Sequence, residues 1–171
     1  IIASLPRWFM HTQAKAVCSR LWSRFLPHLA SPFVMKNMNV NMSDRIIELP
    51  DRGGDIPLGD CTIKAIPAHF LHSVGNFHFY DPVSKILFSG DMGASIVSER
   101  ENEPVEDFDR HIGAMRGFHQ RYMASKKACA LWADMVYGMD VEMMVPQHGR
   151  PFHGRAMVHR FLEWISQLPC G

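Results

Sequence analysis

The sequence predicts an α/β fold in which helices pack on a sheet with one antiparallel set of strands. Three observations carry this. Cys61-Thr62-Ile63-Lys64-Ala65-Ile66 alternates in polarity as a half-buried strand does. Aromatic Phe77-His78-Phe79-Tyr80 and apolar Ile86-Leu87-Phe88 follow it, joined to each other by the turn formers Asp81-Pro82-Val83-Ser84-Lys85. Long stretches with apolar residues every three or four positions stand before and after these strands, the period of an amphipathic helix. The 171 residues are 47% hydrophobic and 20% charged, which suits one domain with a sizeable core and excludes a disordered or fibrous chain.

The elements follow in order. Between Leu5 and Leu29, Ala14, Val17, Leu21 and Phe25 recur with Lys15, Arg20 and Arg24 between them, predicting one amphipathic helix. Ser31-Pro32 stops it, and Phe33-Val34-Met35 reads as a short buried strand. Asp51-Arg52-Gly53-Gly54-Asp55, flanked by Pro50 and Pro57, predicts a loop or hairpin tip. After the three central strands, Glu99 to Asp109 is an acidic loop, and one long helix is expected over about Phe108 to Tyr137, ending at Gly138. A last strand, Met143-Met144-Val145, runs into Pro146-Gln147-His148-Gly149, and a helix over about Gly154 to Leu168 stops before Pro169.

Net charge is +1, so nothing electrostatic points to nucleic acid or an acidic membrane as partner. Residues 1–43 hold five Lys/Arg and no acid, which reads as the solvated face of a helix. Cys18, Cys61, Cys129 and Cys170 are widely spaced without a C-x-x-C, as expected of free thiols in a reducing cytosol. No segment has the form of a signal peptide and no apolar run approaches the roughly 18 residues that span a bilayer. A cytoplasmic protein is the expectation. The chain begins at Ile1 without an initiator methionine, which reads as a processed product or a piece of a longer protein.

Ten histidines are the compositional surplus. Taken singly, His11, His28, His78, His111, His153 and His159 read as structural. Three places, however, set a good metal ligand at the end of an apolar strand: Ala68-His69-Phe70-Leu71-His72-Ser73, Ser89-Gly90-Asp91-Met92, and Gln147-His148-Gly149. Strand ends within one sheet lie side by side, so ligands distant in sequence can be fixed there with the accuracy a metal requires. Gly90 lets the chain turn and brings the Asp91 carboxylate to the strand's edge, where it can bridge two cations. Imidazole and carboxylate suit iron and zinc alike.

The stretch A-H-F-L-H-S-V-G-N-F-H-F-Y-D-P-V-S-K-I-L-F-S-G-D-M-G, Ala68 to Gly93, followed by P-Q-H-G at Pro146, resembles the metallo-β-lactamase fold, and within it the flavodi-iron branch with its stand-alone oxygen-binding di-iron proteins. The resemblance implies an αββα sandwich. It carries the roles of a ligating histidine, a bridging aspartate and a late histidine to His72, Asp91 and His148, around two iron ions. His69 is expected near the ligands as a pocket residue, with a lesser claim to be the ligand instead of His72. The segment Phe118 to Ser125 resembles the helix behind the site, where Tyr122 is a candidate hydrogen-bond donor, or simply a core aromatic.

Family members carry an earlier histidine-rich ligand cluster that this chain does not match, and the helix expected over Leu5 to Leu29 resembles the one that follows that cluster. Residues 1–171 are therefore read as the later, C-terminal portion of a single metallo-β-lactamase-like domain, a partial sandwich binding metal weakly or not at all by itself. What the resemblance implies for the whole is a non-haem di-iron protein that binds, senses or reduces dioxygen, with nitric oxide reduction a related oxidoreductase activity. FMN would enter only with a separate flavodoxin domain, and an electron-donor or signalling protein would be the partner. The rivals are a zinc-dependent thioester or lactone hydrolase on the same fold, and a metal-free fragment. Twelve methionines hint at an association surface, such as a homodimer's, and a Met-rich core explains them equally.

Overall fold

The computed structural model describes residues 4–26, 42–97 and 103–171. The chain divides into two compact units, residues 1–52 and 53–171.

In the first unit, helix α1 (Leu5–His11) is followed by strand β1 (Ala16–Ser19), one short turn of helix α2 (Arg20–Ser23), a 3-10 turn over Met42–Arg45, and strand β2 (Ile46–Leu49). β1 and β2 pair in parallel, with Ala16 opposite Ile46 and Ser19 opposite Leu49. The single helix expected over Leu5 to Leu29 is therefore absent. Thr12 ends α1 in an extended conformation, and Ser19 starts α2 by accepting the Trp22 N–H on its side chain. Leu21 and Phe25, the apolar positions of the expected helix, are exposed. Ser31-Pro32 and the expected strand Phe33 to Met35 lie outside the described residues. Arg45 ties the unit together, donating to the carbonyls of Thr12 and Ala14 while its guanidinium sits 5.3 Å over the buried Phe9 ring.

The second unit is built on a six-stranded sheet in sequential order, β3 (Gly54–Leu58), β4 (Cys61–Pro67), β5 (Phe77–Asp81), β6 (Ile86–Phe88), β7 (Met143–Val145) and β8 (Phe152–His153). All neighbours run antiparallel except β6 and β7. The later part of the Asp51–Asp55 cluster is strand rather than loop: Gly54 opens β3, and the hairpin turn lies at Gly59-Asp60. Pro57 can stand in β3 because this is an edge strand that need not donate on its open side. At the β5–β6 turn, the Asp81 carboxylate accepts the Val83 N–H and the Ser84 hydroxyl.

Three helices complete the unit: α3 (Phe108–Tyr122), α4 (Lys126–Tyr137) and α5 (Arg155–Gln167). The one helix expected over Phe108 to Tyr137 is thus two. Met123 is extended and makes an isolated bridge to Leu71, and Ser125 restarts the helix by accepting the Ala128 N–H. The core joins Leu87, Met144 and Phe152 of the sheet to Met115, Trp132, Phe161 and Ile165 of the helices, all nearly inaccessible. Met92, Met115, Met123 and Met144 are fully buried, which accounts for part of the methionine surplus. All four cysteines are free thiols.

Candidate metal centre

The sheet register brings three loops to one edge. Ala65, Phe79, Phe88 and Val145 lie in one row across β4, β5, β6 and β7. Strand direction then decides which loops meet: the end of β4, the start of β5 and the ends of β6 and β7 all lie beyond that row on the same side. Residues 68–76, 89–95 and 146–150 leave from there. Because β6 and β7 are parallel with Phe88 opposite Val145, the third residue past each, Asp91 and His148, fall side by side. Asp91 Oδ1 and His148 Nε2 are 4.0 Å apart.

Main-chain hydrogen bonds hold these two loops together. Val145 O accepts from Ser89 N at 3.0 Å, Gly90 O from Gln147 N at 2.6 Å, and His148 O from Ser95 N at 3.2 Å. The Ser95 hydroxyl accepts from Arg150 N. Gly149 is required at the crossing. Its φ is +83°, and a Cβ there would stand 2.0 Å from Ser95 Oγ and 2.6 Å from Ser95 O. A cavity of about 430 Å³ opens beside His148, lined also by Ser95, Ile96, Val145 and Pro146.

His72 sits on the neighbouring loop. Its backbone lies in the left-handed region at φ +48°, as does that of Phe70 at +65°. The loop tolerates these conformations because it is pinned at many points: Phe70 N to Ser73 O, Leu71 N to Ala68 O, Ala68 N to Asn76 O, and Ala124 N to Phe70 O. The exposed His72 ring leans on Tyr122, with centroids 5.0 Å apart, and meets Phe118 edge-on at 6.2 Å. Tyr122 is itself 44% exposed, so it is a surface aromatic beside His72 rather than a core residue. His69 takes another direction. Its ring meets Phe77 edge-on at 5.1 Å, and it lines an almost wholly apolar cavity of about 290 Å³ with Phe70, Leu131, Trp132 and Met135.

Two further histidines stand behind the loops. His119, fully buried on α3, donates from Nδ1 to Met115 O at 2.9 Å and accepts the Gly93 N–H on Nε2 at 3.0 Å. Burial holds its pKa below the ordinary value, only partly opposed by the Met115 hydrogen bond and the nearby Asp91 charge. The neutral ring thereby anchors the Asp91 loop to the helix. The sequence carried a signal for this: Phe108, His111, Met115 and His119 recur at helical spacing, which places His119 on the buried stripe of α3. His78, on β5 and also fully buried, is pushed down to about 3 by desolvation and packs edge-on against Trp132.

Carboxylate oxygen and imidazole nitrogen are the donors of iron and zinc sites, and from 4.0 Å the two need approach by only about half an ångström to bond one ion at about 2.0–2.2 Å with a tetrahedral angle. Asp91 and His148 therefore fit a cation at their meeting point. Among the described residues no group of three His, Cys, Asp or Glu side chains converges to hold an ion by itself.

The mixed sheet, its packed helices and the row of strand-end loops define a metallo-β-lactamase-like α/β fold. The chain belongs to the ODP family of beta lactamases, whose pattern matches residues 1–149. It is 39% identical to the apo state of the chemotaxis sensor ODP from T. denticola, with a TM-score of 0.85 over 100% of this chain and 66% of that one. A second structure, a peroxy di-iron species of chemotaxis sensor ODP, is 38% identical with a TM-score of 0.84, covering 99% of this chain and 66% of that one. A metal-soaked flavodiiron core from Synechocystis shares the fold at 17% identity, with a TM-score of 0.74 over 97% of this chain and 40% of that one. An uncharacterized protein of Methanocaldococcus jannaschii is 31% identical over 123 residues, 67% of this chain and 30% of its own length. The chain thus spans about two thirds of the sensor chains and under a third of the archaeal relative.

Proposed function

We propose that His72, Asp91 and His148 are ligands of a non-haem di-iron centre at which the protein binds dioxygen as a sensor. The observation that carries this reading is the meeting of Asp91 and His148 at the ends of two parallel strands, their donor atoms 4.0 Å apart, with the His72 loop leaving from the same sheet edge. The likeness to sensor chains described as peroxy di-iron and apo states supports iron over zinc and binding over turnover.

Two ferrous ions, when bound, would supply the electrons with which dioxygen is held. The chain's own share is geometric. Asp91 would hold the ions through its carboxylate oxygens, and His72 and His148 through one imidazole nitrogen each. His119 fixes the Asp91 loop through Gly93, and the cavity beside His148 is large enough to admit a diatomic gas. Residues 1–171 are read as the later portion of the domain. Two ions would require ligands beyond these three.

The test is metal analysis of the full-length protein prepared without air, with absorption spectra before and after oxygen is admitted. Iron with a new absorption on exposure is expected. Zinc with an unchanged spectrum would overturn the reading in favour of hydrolytic chemistry.

A further inference from the structure

We infer that His78, which is not a ligand, sets the mutual position of the loops carrying His72 and Asp91, acting on the first through Asn76 and on the second from beneath Gly90. The inference rests on the reading of His72 and Asp91 as metal ligands.

The Asn76 side-chain amide is the hub. Its nitrogen lies 2.6 Å from Leu71 O and 3.4 Å from His78 Nε2, so its two protons serve both acceptors. Its main-chain carbonyl accepts the Ala68 N–H at 3.0 Å. One residue therefore closes the loop from Ala68 to Asn76 at its start and again just before His72. The bond to Leu71 O matters most. That carbonyl belongs to the peptide plane preceding His72, and the orientation of this plane enters directly into the φ of +48° that His72 adopts. A residue with a Cβ holds such a conformation only when its surroundings over-determine it.

His78 in turn orients the amide. By accepting from Asn76 on Nε2 it fixes which way the Asn76 nitrogen points, and its own ring is wedged against Trp132, centroids 5.3 Å apart at 84°. The same Nε2 would stand 3.4 Å from a methyl group placed on Gly90, the residue before Asp91, whose φ of +53° turns the chain toward the sheet edge. One buried nitrogen thus faces both loops. With Nε2 accepting, the proton resides on Nδ1, which has no partner although fully buried. An apolar residue would avoid that unmet hydrogen bond. What the polar ring supplies at this place is an acceptor directed at Asn76.

The test compares His78→Leu, His78→Gln and Asn76→Ala in the full-length protein. Glutamine keeps an acceptor for the Asn76 amide, whereas leucine keeps only bulk. Two measurements are made: the His72 Cα shift and intraresidue HN–Hα nuclear Overhauser effect without metal, which read its positive φ, and ferrous ion affinity. His78→Leu and Asn76→Ala should lose the positive-φ signature and bind ferrous ion about 10- to 100-fold more weakly, with His78→Gln within about threefold of the parent. Folded His78→Leu protein with the His72 signature unchanged would overturn the inference, as would a lost signature with undiminished affinity. Should His78→Leu not fold, Asn76→Ala decides by the same two criteria. A parent protein that binds no iron would refute the functional reading instead, and the His72 signature would still decide whether His78 holds that loop.

Discussion

Asp91 can be reached from sequence because its signal is local: an apolar strand, then a glycine, then a carboxylate. Replacing it with asparagine should lower ferrous affinity by more than about 100-fold, beyond the usual effect of removing a hydrogen-bonding neighbour of a ligand, while leaving the thermal midpoint nearly unchanged. Calorimetric iron titration beside a melting curve checks both halves. His69 and His72 are harder to separate, being alternate residues in one loop. Only the structure shows that the first turns to Phe77 and the apolar cavity while the second leans on Tyr122. His119 and His78 escape a reading of single residues because their roles arise from what lies across the fold, Gly93 for one and Asn76 with Gly90 for the other. Gly149→Ala should destabilise the protein by about 2 kcal/mol or more, from a strained φ and from collision with Ser95. Urea denaturation measures this, and a stability equal to the parent's would contradict it.

Elements whose pattern matches their environment were legible: β4 to β7 and α5 stand within a residue or so of where periodicity puts them. Two kinds of feature were not. The three- and four-residue spacing of Ala14, Val17, Leu21 and Phe25 imitates a helix, yet Val17 belongs to a parallel strand whose partner begins at Ile46, about thirty residues away. No local period contains that partner. The other is punctuation by a single polar residue. Ser125 breaks what reads as one helix into α3 and α4, and its cap to Ala128 N is a side-chain event that apolar spacing ignores. Ser125→Ala should therefore cost about 1 kcal/mol. Loss of protection should concentrate in the first turn of α4 in hydrogen exchange, and uniform protection along α3 and α4 would show that the cap is dispensable.

At the scale of the whole molecule, buried histidines make stability depend on pH. Burial lowers the pKa of His78 from 6.5 to about 3, and holds His111 and His119 below their ordinary value, with the Arg150 charge adding to the effect at His111. The unfolded chain takes up a proton on each as pH falls below about 6.5, while the fold refuses it down to its own lower pKa, so stability is full above that pH and declines on acidification. His78 alone contributes a slope of up to about 1.4 kcal/mol per pH unit across its window, from about 6.5 down to about 3. Denaturant titrations at pH 7 and pH 4.5 should differ accordingly, and equal midpoints would count against it. The proposed division of the metal site predicts that residues 1–171 bind ferrous ion weakly, and two tight equivalents in a titration of this chain would refute it. Among the described residues, the hydrogen bonds that cross between the Asp91 and His148 loops run almost wholly through the main chain, with Ser95 Oγ the one side-chain participant. Spacing and donor identity are consequently separable. Single exchanges such as Asp91→His or His148→Asp rewrite the chemical hardness of the pair without redrawing its frame, which makes this edge of the sheet a socket whose metal preference can drift by point mutation while the scaffold stays constant.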